Sequence, residues 1–292
     1  MNAPCCVIDC RHFLGEGPIW DARGGALWWC DIYGPTLHRW HAATGMRRQW
    51  TLPAPIGSFA LCATGGRAVL ALETGFHMLN LEGGTLTPIA DPEAQLPGTR
   101  FNDGRCDRQG RFLAGTMNRR HDAPNAALYR LDADLNVARI AEGVTIANGL
   151  AFSVDGATMF WSDSVEQTIW LFDYDIRSGT PTQRRVLRRF AAGDGFPDGA
   201  AVDAEGCYWV AMFDGGRVLR LDPTTGATLR EIALPVRRPT MPAFGGAELK
   251  TLFVTSAREH ASDAELAGHP QSGSIFAIEV DVPGVAEPRF AG

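Results

Sequence analysis

A chain of 292 residues with 45% apolar content can bury a sizeable core, arranged as one large domain or two small ones. Its 27 basic and 33 acidic residues leave a net charge of −6, which gives no electrostatic reason to expect a nucleic acid or an anionic membrane as partner. Seven cysteines without a CxxC pair argue against a disulfide framework and a zinc ribbon, and Met1-Asn2-Ala3-Pro4-Cys5-Cys6 does not open a basic leader, so a soluble cytoplasmic protein is expected.

Along the chain, glycines and prolines bracket short runs of Val, Leu, Ile, Trp and Phe, which is the punctuation of an all-β protein. One phrase recurs, an inner apolar strand, expected to be the strand that lines the axis, followed by a second strand that ends in a polar residue. It begins with Leu27-Trp28-Trp29-Cys30 and Leu37 to Trp40, then Val69 to Leu72 with Phe76 to Leu81, then Phe112 to Thr116 with Ala127 to Asp132. It continues with Met159 to Asp163 and Ile169 to Asp173, Tyr208 to Ala211 and Val218 to Asp222, and Leu252 to Ser256 with Ser274 to Val280. The first strands of these units start roughly 42 to 49 residues apart, the spacing of four-stranded blades. Six such units use nearly the whole chain, so the expectation is a six-bladed β-propeller forming a single domain over residues 1–292. A β-sandwich gives no reason for one phrase to recur six times. Arg184, Arg185, Arg188 and Arg189 read as a solvated edge strand, and Ser262-Asp263-Ala264-Glu265-Leu266 as a helix start within a surface excursion.

Ahead of four of these strands stands a carboxylate or carboxamide in one register: Glu16, Asn102, Asn148 and Asp198. Each is followed five residues later by Asp21, Asp107, Ser153 or Asp203. In the other two units the slot falls near Ser58 and near Met241. Asn or Asp before Gly is an ordinary turn former, but Glu is not, and a register shared by four repeats points all four groups at one axis. Two carboxylates and two carboxamides make a hard oxygen site suited to Ca²⁺, Mg²⁺ or Mn²⁺, and able to take Fe²⁺ or Zn²⁺. The seven histidines show no ligand spacing, although His121 and His260 lie on loops within reach of the mouth, and Trp20 and Phe196, near slot residues, are candidates to face a sugar.

Leu14-Gly15-Glu16-Gly17-Pro18, Arg100-Phe101-Asn102-Asp103-Gly104, Ala147-Asn148-Gly149-Leu150, Pro197-Asp198-Gly199 and Thr255-Ser256-Ala257-Arg258 together resemble the gluconolactonase/regucalcin family of six-bladed propellers. The resemblance implies one divalent ion (Ca²⁺, Zn²⁺, Mn²⁺ or Fe²⁺) held by Glu16, Asn148 and Asp198. It also implies Arg100 and Asn102 on the substrate, and hydrolysis of an aldono-1,4- or 1,5-lactone to its acid in sugar catabolism. Within that chemistry Asp198 is the expected base and the cation a Lewis acid, while Asp103 is either a group that orients its neighbours or a surface-turn residue. After Gly115-Thr116-Met117 the chain reads Asn118-Arg119-Arg120-His121-Asp122, where vertebrate members carry acidic residues, and Arg120 is taken as a further substrate contact. Two other readings stay open: a calcium-binding regulatory propeller without turnover, and a phosphotriester or aryl-ester hydrolase. The partner expected is a small sugar lactone, with no nucleic acid or membrane, and the protein is expected to be a monomer or a weak homo-oligomer.

Overall fold

The computed structural model describes residues 3–292, so Met1 and Asn2 of the opening segment lie outside the described residues. Six four-stranded antiparallel sheets stand around an axis, and the innermost strand of each packs against that of the next until the ring closes. Blade 1 comprises Gly15–Asp21, Ala26–Asp31, Thr36–His41 and Arg47–Thr51, from axis to rim. Blade 2 starts at the axis with Ile56–Leu61, blade 3 with Thr99–Cys106, blade 4 with Ala147–Phe152, blade 5 with Phe196–Val202 and blade 6 with Pro239–Gly245. Blade 6 is completed by the N-terminal strand Cys5–Ile8, which pairs with Ile275–Glu279 and clasps the two ends of the chain. The arginine-rich run is the outermost strand of blade 4, Thr180–Arg189. The helix runs Asp263–Gly268, with the Ser262 side chain accepting from the Glu265 N–H. No helix among the described residues is long and apolar enough to cross a membrane.

The strands read from sequence as innermost, such as Leu27 to Cys30, are the second strands of their blades. The axial strand is the segment that carries the slot residue. Its Glu-Gly-Pro, Asn-Asp-Gly, Asn-Gly and Asp-Gly signals resemble turns because each blade's axial strand carries a bulge there, with register shifts at Glu16/Ile19, Phe101/Gly104, Asn148/Ala151 and Pro197/Ala200. Gly17 (φ 58°) and Gly149 (φ 62°) supply the left-handed backbone the bulge needs in blades 1 and 4. The recurrent residue five positions on caps the far turn. Asp107 accepts from the Gln109 and Arg111 N–H groups, and Asp203 from those of Glu205 and Cys207, at 2.9–3.0 Å.

Second strands are apolar on both faces because each face meets a neighbouring blade. Trp28 packs with Phe59 and Leu70 of blade 2, whereas Trp29 packs with Phe253 and Ile275 of blade 6. Six apolar clusters arise this way, one per blade interface, and each fully buried large side chain stabilises the ring by about 1.5–3 kcal/mol. At one end of the axis the C-terminal segment crosses the ring. Glu287 pairs with the axial Arg105, Arg289 with Asp21, and Phe290 is buried between blades 2 and 3. The axial strands therefore present their slot residues at the opposite end.

Candidate metal centre and active site

Glu16, Asn102, Asn148 and Asp198 are brought from blades 1, 3, 4 and 5 to the floor of one cavity of about 430 Å³, and Arg100 joins them. All five are buried. Ser58 and Met241 are buried too, but they do not line this cavity. Phe196, His121 and His260 reach its wall, while Trp20 stacks on Phe253 away from it. Arg120 does not reach it: its side chain is 81% exposed and pairs with Asp122 at 3.0 Å. Arg119, one residue earlier, does line the cavity.

A chain of hydrogen bonds fixes the polarity of the amides. Arg100 Nη1 donates to the Phe101 carbonyl at 2.8 Å and to Asn102 Oδ1 at 2.9 Å, and its guanidinium lies 5.2 Å from the Tyr33 ring centre. Asn102 Nδ2 in turn donates to the Ala147 carbonyl and to Asn148 Oδ1, both at 3.0 Å. Behind Asn148, the Ser164 hydroxyl donates to the Pro197 carbonyl at 2.8 Å, so its lone pair accepts from Asn148 Nδ2 at 2.8 Å. Asn148 therefore turns its oxygen toward Asn102 and not toward Ser164.

Backbone placement rests on two equivalent aspartates that end second strands. Asp31 accepts from the Phe13 and Leu14 N–H groups at 3.2 and 3.1 Å, and Asp163 from those of Thr145 and Ile146 at 2.7 and 3.1 Å. Each holds the chain two residues ahead of a slot residue, Glu16 or Asn148. Asp163→Asn keeps an acceptor but loses the charge, and we expect it to lower stability by about 2 kcal/mol and to weaken divalent-ion binding. Thermal denaturation and metal titration check this, and an unchanged affinity would show that Asp163 supports the fold alone.

Burial has opposite outcomes at these carboxyls. It works to raise Asp31, but His12 and the N–H groups of Leu14 and Gly34 outweigh it and hold the carboxyl at about 2. Glu16 is pushed up to about 8 by burial and by the charge of Asp103, which the Gly17 N–H and the more weakly felt Arg100 do not offset. Asp198 is raised well above the usual carboxylate range by burial and then by the charges of Glu16, Asp103 and Glu259. Asp103 itself is buried and accepts from the Leu150 N–H at 2.8 Å, so it is not the surface-turn residue that was one of its two expected roles.

Among the described residues no group of three or more His, Cys, Asp and Glu side chains is gathered as a metal-ligand set. A cation here would draw on two carboxylates and a carboxamide oxygen, the donor chemistry of a hard divalent ion. The two mutually repelling buried carboxyls fit that ion, because it stabilises their ionised forms together. Three contributors were not singled out from the sequence: Ser164, Tyr33 and Glu259. Aspartate recurs at the second strand's end in blades 1 and 4, at Asp31 and Asp163, and that repeat marks these two anchors in the sequence.

Fold and site together define a six-bladed propeller whose axis carries a buried oxygen-donor centre open at one face. The chain belongs to the family described as SMP-30/Gluconolactonase/LRE-like region, whose model matches residues 14–258. The 6-deoxy-6-sulfogluconolactonase of Pseudomonas putida is 45% identical over 288 residues, 98% of each chain. Regucalcin of Xenopus laevis is 38% identical over 293 residues, again 98% of each. The crystal structure of regucalcin, a calcium-binding protein from Agrobacterium tumefaciens, matches with a TM-score of 0.94 at 32% identity, covering 100% of this chain and 98% of that one.

Proposed function

We propose that this protein is a metal-dependent sugar lactonase, a single-domain cytoplasmic enzyme that opens an aldono-1,4- or 1,5-lactone to the aldonic acid. The observation that carries this is the pairing of two kinds of group in one cavity: an oxygen-donor set in Glu16, Asn148 and Asp198, and beside it an oriented Arg100 and Asn102. A site that only stored an ion has no use for the second kind. The family relatives named for lactone hydrolysis support the same reading.

When bound, a divalent ion would supply Lewis acidity toward the ester carbonyl and balance the charge of Glu16 and Asp198. The rest falls to the protein's own side chains. Asp198 accepts the proton of the attacking water as its oxygen bonds to the carbonyl carbon, then returns a proton to the ring oxygen as the ester bond breaks. The products are a carboxylic acid and a hydroxyl on one chain of carbons. Arg100, stacked near Tyr33, orients Asn102, and the two line the substrate's side of the cavity. Phe196, Phe213 and Val165 line another wall, restrict water and give the sugar's C–H faces an apolar surface.

The test strips the protein with chelator, restores single metals, and follows acid release from pentono- and hexonolactones. Turnover that returns with one or more divalent ions is the expected result. If no metal restores turnover on any lactone while a calcium titration still saturates, the second reading, a calcium-binding regulatory propeller, replaces it.

A further inference from the structure

The wall formed by blade 3 differs from the floor. Asn118 is buried and pins the loop that follows it: its Oδ1 accepts from the Arg120 N–H at 2.8 Å, and its Nδ2 donates to Asp122 Oδ1 at 3.1 Å and the Ala123 carbonyl at 3.2 Å. Its own carbonyl accepts from the His121 N–H at 3.1 Å, and the Arg119 N–H donates to the Gly98 carbonyl at 2.9 Å. A loop held at four successive residues has a set facing. Arg119 and His121 line the cavity, whereas Arg120 between them points outward with 81% of its side chain exposed. The Arg119 Nη1 is anchored by Glu73 at 2.5 Å, and the rest of its planar fork has donors for a second anion.

The opposite wall sets acids beside an imidazole, that of His260. Asp214 lines it, already engaged by Arg237 at 3.1 Å and Arg238 at 2.9 Å, and Glu259 stands beside it. The blade 3 wall therefore brings a guanidinium with donors to spare to the cavity, at Arg119. A neutral sugar hydroxyl is served as well by an amide as by the free half of the Arg119 fork, whereas a ligand with a fixed negative charge gains a charge-assisted bond from it.

We propose that the substrate is a sugar lactone bearing a fixed anionic group (sulfonate, phosphate or carboxylate) at the carbon remote from the ester, and that Arg119, with His121 beside it, holds that group. This rests on the lactonase reading and names the substrate class of the same cavity. The pinned loop makes the contact selective, because its donors are in place before the ligand arrives.

The experiment measures kcat/KM of the metal-loaded protein on gluconolactones that differ only at carbon 6: hydroxyl, sulfonate, phosphate and carboxylate. The expected result is a preference of about tenfold or more for at least one anionic form, carried mainly by KM and shrinking as salt is raised. Arg119→Gln is expected to bring the anionic-to-neutral ratio close to one, with partial recovery in Arg119→Lys. Glu73→Gln breaks the same ion pair but leaves the guanidinium, so it is expected to retain the preference and separates recognition from loop support. The proposal is overturned if the neutral and anionic lactones are opened equally well. It is also overturned if Glu73→Gln abolishes the ratio as fully as Arg119→Gln, or if Arg120→Gln abolishes it and Arg119→Gln does not. Failure to open any lactone would instead bring down the lactonase reading beneath it.

Discussion

Asp198→Asn is expected to lower kcat/KM on the preferred lactone by about 10³-fold or more, since a positioned general base contributes roughly 10²–10⁴-fold. The substitution keeps an oxygen at the same place and removes the proton acceptor. Two forces set the basicity of Asp198. Burial and the charges of Glu16, Asp103 and Glu259 raise its carboxyl, so that it holds a proton more tightly than a surface aspartate. A bound cation lowers it again. Asn148→Asp and Glu16→Gln serve as comparisons because they alter the donor set without touching the base. Glu16→Gln is expected to need more metal but to recover most of its turnover at saturation, whereas Asp198→Asn is expected to remain slow at every metal concentration. A metal-saturated Asp198→Asn protein that turns over at the wild-type rate would remove Asp198 from the role of base.

The second large effect is on stability. A saturating divalent ion is expected to raise Tm by roughly 4–5 °C at pH 8 and by less than about 2 °C at pH 5, as bound ligand at about 100 times Kd contributes about 2.7 kcal/mol to a chain of this size. The sign follows from Glu16, whose carboxyl titrates near 4.5 in the unfolded chain and near 8 in the fold. A raised acid contributes stability that is fully present below its unfolded value and is lost as pH rises through its folded value. The metal-free protein therefore weakens between about pH 4.5 and 8, and Asp198, raised in the same direction, adds to the loss. The ion binds the ionised carboxylates and compensates for the loss where it is greatest; at pH 5 it must first displace protons. Calorimetry at the two pH values, with and without metal, checks this. Equal gains at both would mean that Glu16 and Asp198 are not the ligands.

The repeat was legible because blades are local units. Each strand pairs with its neighbour in sequence, so a phrase such as Leu27-Trp28-Trp29-Cys30 carries its own apolar signature, and the family's model matches from 14 to 258. The register of Glu16, Asn102, Asn148 and Asp198 was legible for the same reason, since one bulge recurs at the same place in each axial strand. The strand bearing them was misplaced by one, because a bulge written with Gly, Pro and Asn carries the same chemistry as a turn.

Composition and periodicity by themselves determined an all-β ring of six units and the residue types aimed at its axis, because these depend on contacts between residues close in the chain. Tertiary structure alone decided the rest. It showed that Cys5–Ile8 closes blade 6, that Glu287 and Arg105 pair at one end of the axis, and that Arg119, not Arg120, faces the cavity. It also showed that Ser164 and Asn102 set which way Asn148 points. Each of these depends on groups far apart in the sequence meeting at a few ångströms, where the direction of a single hydrogen bond outweighs any local preference.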